Sequence, residues 1–201
     1  MSSDRQPTPH IAVFCGARPV GNPAYTALAR DFGTALGRRG LGLVYGAGGV
    51  GMMGEVARAA AANGAAVTGV ITRDLRERER SQQATGEIYV VRSMHDRKAL
   101  MYKLSTAFAV LPGGFGTLDE LMEVLTWNQL GLHRKPVVLF NPNGYFDPLL
   151  ELLDHVVREG FLTSADRSLV WTARDTRQAF DLLLPGVQDG EAAQELADRS
   201  V

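Results

Sequence analysis

Cysteine is almost absent from this chain. Cys15 stands alone in 201 residues, so no disulfide can form within the chain and a disulfide-stapled framework is excluded. Neither sign of charge is in surplus: 21 Lys and Arg face 22 Asp and Glu, a net charge of −1. That balance supplies no basic field for nucleic acid or an anionic membrane, and it leaves small molecules as the expected partners. Long apolar runs are missing too, since none approaches the ~20 residues of a membrane span. The opening MSSDRQPTPH lacks the apolar stretch of a signal peptide. Together these absences point to the cytoplasm. The four histidines, His10, His95, His133 and His155, fall in no metal-ligand spacing, so no metal site is expected.

With 45% hydrophobic residues, the chain can bury one substantial core. Short apolar runs at Ile11–Cys15, Leu41–Tyr45, Ala66–Ile71, Ile88–Val91, Ala107–Leu111, Val137–Phe140 and Leu169–Trp171 are mostly too continuous for a sheet with one wet face, and read as buried parallel strands. Amphipathic segments near 23–38, 52–63, 95–105, 117–130, 146–158 and 174–184 alternate with them. The fold class is therefore α/β: a single-domain, Rossmann-like, doubly wound parallel sheet of about seven strands with helices on both faces. Residues 10–184 form the domain. Segments 1–9 and 185–201, rich in polar and charged residues, are expected to be disordered.

Ligands of such sheets bind at the carboxyl ends of the strands, where this sequence concentrates glycine. The richest stretch is Leu-Pro-Gly-Gly-Phe-Gly-Thr-Leu-Asp-Glu at 111–120. A strand enters it, glycines let the backbone approach a ligand, and the free N–H groups of the following helix favour an anion. Glu120 is out of place beside a phosphate. Thr117 and Glu120 spell T-x-x-E, so a helix beginning at Thr117 would spend both residues on a capping box. On that helix Leu118, Leu121, Met122 and Leu125 mark the buried face, and Glu120 and Glu123 fall off it.

Three other loops compete for attention. Residues 15–23 form the first strand-to-helix turn, with Pro23 at the helix start; Cys15 there reads as a small buried hydrophobe. Gly46, Gly48 and Gly51 satisfy G-x-G-x-x-G and keep a nicotinamide-dependent oxidoreductase open as a rival. That fingerprint normally occupies the first βα turn, however, and here a strand and helix precede it. Close packing of helix on sheet, with no ligand, stays open beside it. In the charged run 73–80, Leu75 and Glu79 share a helical face and leave a carboxylate at a pocket rim. Ser93 and Asp96 form a helix-capping pair that sets Arg97 and Lys98 in the first turns, where cations oppose the helix dipole.

Together the runs G-G-V-G-M-M-G at 48–54, M-H-D-R-K at 94–98, P-G-G-F-G-T-L-D-E at 112–120 and T-W-N-Q-L-G at 126–131 resemble the LOG family, cytokinin riboside 5′-monophosphate phosphoribohydrolases often formerly labelled lysine decarboxylases. The similarity runs from Ile11 through N-P-N-G-Y-F-D-P at 141–148 to Gly160-Phe161. It implies hydrolysis of an adenine-type nucleoside 5′-monophosphate, AMP included, to free base and ribose 5-phosphate, without metal or organic cofactor, by a homodimer. Arg97 and Glu120 would be the catalytic pair. Substrate would be held by Glu79, Met94, Lys98, the loop Gly113, Gly114, Phe115, Gly116, Thr117, Leu118 and Asp119, and Thr126, with Gly16, Gly48 and Gly49 contributing from the other glycine loops. The family commonly has Gly-Ser-Ser in the first loop; Gly16-Ala17-Arg18 here removes a hydroxyl. A non-catalytic nucleotide-binding protein would need the glycines but neither Arg97 nor Glu120. A pyridoxal-dependent decarboxylase would need its Schiff-base lysine from Lys98, Lys103 or Lys135.

Overall fold

The computed structural model describes residues 8–78 and 83–185. The expected disordered segments, 1–9 and 185–201, lie almost wholly outside the described residues. Seven strands form one sheet: β1 (His10–Phe14), β2 (Gly42–Tyr45), β3 (Val67–Thr72), β4 (Glu87–Val91), β5 (Ala107–Val110), β6 (Val137–Phe140) and β7 (Trp171–Ala173). Their order is β4-β3-β2-β1-β5-β6-β7, and every pairing is parallel. The helices are α1 (Pro23–Arg38), α2 (Gly51–Ala62), α3 (Arg73–Arg78), α4 (Met94–Leu104), α5 (Phe115–Gln129), α6 (Asp147–Arg158), α7 (Ser164–Arg167) and α8 (Thr176–Leu183).

Alternation along the strands divides the core in two. Ile11 and Val13 of β1 join Phe32, Leu36, Val56 and Phe180 in one apolar cluster. Ala12 and Phe14 point the other way, toward Met101, Leu121, Val124 and Leu153. Helices α1, α2 and α8 thus cover one face, and α4, α5 and α6 the other. The sheet is doubly wound, as the alternation of apolar runs and amphipathic segments implies.

Four local expectations are corrected. The edge strand β4 is not buried: Tyr89 and Val90 are exposed, because no strand lies beyond it. The last strand begins two residues later than its apolar run, since β6 sets the register by pairing Val138 with Trp171. Helix α5 starts at Phe115 and is capped by Gly114, so Thr117 lies inside it and the capping box does not form. Its buried face is Thr117, Glu120, Leu121 and Val124, one turn's spacing repeated, while Met122 is exposed.

The strand order reverses at β1, between β2 and β5. A crevice therefore opens at the carboxyl ends of β1 and β5. Two loops meet there and are tied together: Gly16 N–H donates to the Pro112 carbonyl at 3.0 Å, and the Gly16 carbonyl accepts from Met53 N–H at 3.0 Å.

Candidate active site

Helix α5 begins at that crevice. Its N-cap glycine offers no side-chain hydrogen bond, so the first amides are left for an external acceptor. The glycines before and within it differ in what holds them. A Cβ at Gly113 would fall on the Thr117 hydroxyl, whereas one at Gly114 or Gly116 would meet nothing within 4 Å. Packing explains the first. The other two leave open space beside free amides, as a ligand approaching the backbone requires. The Tyr145 hydroxyl donates to the Gly113 carbonyl at 2.6 Å and steadies the loop from the N-P-N-G-Y-F-D-P segment. Phe115 stands 94% exposed at the helix start.

Glu120 lies a little over one turn further along α5, on the buried face. Facing it is Arg97 of α4, a helix whose N-cap Ser93 accepts from Asp96 N–H, as its sequence suggests. Both side chains are 6% exposed. Arg97 Nη1 donates to Glu120 Oε1 at 3.2 Å, Nε donates to the Val70 carbonyl at 3.0 Å, and Nη2 donates to the Gly46 carbonyl at 3.4 Å. Three of the guanidinium's five N–H donors are thereby committed. The buried charge is held by one carbonyl within β3, one just past β2, and one carboxylate.

Burial pushes the Glu120 pKa up from 4.5 to about 7, against the opposing pull of Arg97. The acid is thus poised near neutrality, the range a general base or acid needs. Cys15, at the end of β1, is buried; burial first and the Glu120 charge second push its thiol far above the ordinary range. It is the small hydrophobe its sequence suggested.

Lys98 bridges the two helices, with Nζ 3.0 Å from Asp119 Oδ2 and 2.8 Å from Glu123 Oε2. The Glu123 hydrogen bond is the main cause of its raised pKa. Beside it a recess of about 210 Å³, open to solvent, is lined by Phe14, Tyr102, Trp127 and Glu120 among others.

The remaining expected site residues fall into four groups. Met94, the first residue of α4, is exposed, and Leu118 and Asp119 sit in the first turns of α5 beside Glu120. Gly48 and Gly49 are engaged by the protein itself: Gly48 N–H contacts Met53 Sδ at 3.2 Å, and the Gly49 carbonyl accepts from Arg58 at 2.9 Å. Thr126 is not brought to the loop. It lies six residues beyond Glu120, about 9 Å along the helix, with its hydroxyl donating to the Met122 carbonyl at 2.7 Å. Glu79 lies outside the described residues. Sequence reasoning missed Val70 and Gly46, whose backbone carbonyls carry no side-chain signature, and Tyr145, which stood in a recognised stretch without a role.

A sheet of this order, with its ligand loops joined at the reversal point, places the molecule among Rossmann-like α/β proteins, which take their ligands in that crevice. Solved structures share the fold. The molybdenum cofactor binding protein from Rippkaea orientalis matches with a TM-score of 0.64 at 21% identity, over 89% of this chain and 96% of that one. The Moco carrier protein from Chlamydomonas reinhardtii matches with a TM-score of 0.63 at 22% identity, over 96% and 99%. At such identities the likeness is one of fold alone.

Sequence comparison is more specific. The chain belongs to the LOG family, whose family model, described as possible lysine decarboxylase, matches residues 53–183. It is 46% identical over 181 residues to the cytokinin riboside 5′-monophosphate phosphoribohydrolase of Rhodococcoides fascians, covering 89% of this chain and 91% of that one. It is 44% identical over 168 residues to the enzyme of that name, LOG, from Oryza sativa subsp. japonica, covering 84% and 69%.

Proposed function

We propose that this protein hydrolyses the N-glycosidic bond of adenine-type nucleoside 5′-monophosphates, AMP and N6-substituted cytokinin nucleotides, releasing free base and ribose 5-phosphate. The observation that carries the proposal is the buried Arg97–Glu120 pair one turn from the open amides of α5. A nucleotide has its anion at one end and its glycosidic carbon several ångströms away, so one helix start can hold both. The phosphate accepts from the amides around Gly114–Thr117, and the ribose then reaches Glu120.

As the bond from C1′ to the base nitrogen breaks, its electron pair leaves with the base and positive charge grows on the sugar. The Glu120 carboxylate stabilises that charge and takes the proton from the attacking water, and the balancing proton ends on the departing base, which is released neutral. Arg97, fixed from three sides, holds the carboxylate in place and favours its ionised form. Lys98 adds positive charge beside the helix start while bracing α4 against α5.

The lysines do not suit pyridoxal chemistry. Lys98 is ion-paired, Lys103 is exposed, and Lys135 precedes β6, at the end of the sheet away from the crevice. Its Nζ donates to the Tyr102 carbonyl at 2.7 Å. We further assign the enzyme to the cytoplasm and to a homodimer. The single buried thiol supports the first, and the outward apolar residues Met122, Leu130 and Leu132 support the second.

The test is to incubate purified protein with AMP and with N6-isopentenyl-AMP and separate the products by chromatography. Free base and ribose 5-phosphate are expected in equal amounts. Binding without any release of base would leave a nucleotide carrier and end the proposal.

A further inference from the structure

The G-x-G-x-x-G run at 46–51 resembles a dinucleotide fingerprint, yet it follows β2 and not the central β1. Its first glycine has another use. The φ of Gly46 does not lie in the left-handed region, unlike those of Ala47 at 59° and Gly51 at 63°, so its backbone conformation admits an alanine. Space does not: a Cβ at Gly46 would fall on Arg97 Nη2, and it would lie only 3.1 Å from Met53 Cε. The methionine end can shift. The guanidinium cannot without releasing the Val70 and Gly46 carbonyls and the Glu120 carboxylate that it binds. Ala47, 3% exposed, accepts a left-handed conformation that disfavours any side chain. That turn follows directly on the carbonyl that meets Arg97.

We propose that Gly46 is a positioning residue for hydrolysis: its missing side chain is the slot that seats the Arg97 guanidinium against Glu120, and the glycine-rich loop receives this arginine in place of a dinucleotide pyrophosphate. The inference rests on the function proposed above for its kinetic consequence, though the seating itself does not. Displacing the guanidinium removes the cation that most favours ionised Glu120. The other groups facing that carboxylate are Lys98 from α4, Asp119 from α5 and Cys15 just past β1, with Glu123 lining the same recess.

The experiment compares Gly46→Ala, Arg97→Lys and the double variant in AMP hydrolysis and in thermal unfolding. Lysine keeps the charge but ends short of the slot. Gly46→Ala is expected to fold, to lose at least tenfold in kcat, and to move the acid limb of its pH profile upward. In the Arg97→Lys background the same substitution is expected to cost nothing more, in kcat or in Tm. A Gly46→Ala enzyme that loses less than tenfold overturns the proposal, as does a double variant that loses the same factor again.

Should Gly46→Ala fail to fold, a folded double variant supports the seating and an unfolded one refutes it. Should the parent hydrolyse no nucleotide, the function proposed above fails alone. The Tm comparison then decides: a loss present with Arg97 and absent with lysine supports the slot, and any other pattern removes it.

Discussion

In the proposed reaction Glu120 carries the most chemistry, and the T-x-x-E pattern misread its surroundings. T-x-x-E is a capping signature only if the threonine precedes the helix, and a helix that starts two residues earlier turns the same pair inward. Once buried, the acid is easier to protonate than in the unfolded chain, with a pKa of about 7 against 4.5. The sign of the linkage follows. As pH rises from 4.5 to 7 the unfolded chain loses this proton first, so the group's contribution to stability is full below pH 4.5 and lost as pH passes 7. At about 1.4 kcal/mol per pKa unit the loss is on the order of 3 kcal/mol. Glu120→Gln is expected to fold, to abolish turnover and to lack this loss. Urea unfolding of parent and variant at pH 5 and pH 8 checks it, the stability difference moving toward the variant at the higher pH. A difference independent of pH would refute the assignment.

At the scale of elements, β-α alternation was legible because fully buried strands are continuous apolar runs and the helices between them are amphipathic. Ends were less so. The strand at Trp171–Ala173 takes its register from β6, information that local composition does not contain, and the four-residue α7 at Ser164–Arg167 is too short to show periodicity. The start of α5 matters most for function. Gly116 lies in its first turn, exposed, with open space where a side chain would stand. Alanine there suits the helix better, by roughly 0.5–1 kcal/mol, but it fills room that the phosphate would use. Gly116→Ala is therefore expected to raise Tm slightly and to raise KM for AMP about tenfold or more. Differential scanning calorimetry and initial-rate kinetics would show the two effects moving in opposite senses.

For the whole molecule, the crevice follows from the strand order alone, so the general place of the site was readable before any side chain was located. The carbonyls that seat Arg97 were not, because they belong to Val70 within β3 and to Gly46 just past β2 and carry no side-chain signature. Nor does the sequence pattern say how copies associate. Leu130 and Leu132, each 66% exposed, together with Met122, give α5 and the turn after it an outward apolar strip, and light scattering is expected to return twice the 21.7 kDa of one chain. A monomer at micromolar concentration would refute the dimer.

The three contacts of Arg97 span 51, 27 and 23 positions of chain. A charged guanidinium is costly to bury until its partners are present, and contacts so distant in sequence form late. During synthesis β2 and β3 emerge first, then the arginine, and α5 last. The arginine must therefore stay hydrated until Glu120 has left the ribosome, which makes closure of this site a report that the two halves of the sheet have joined.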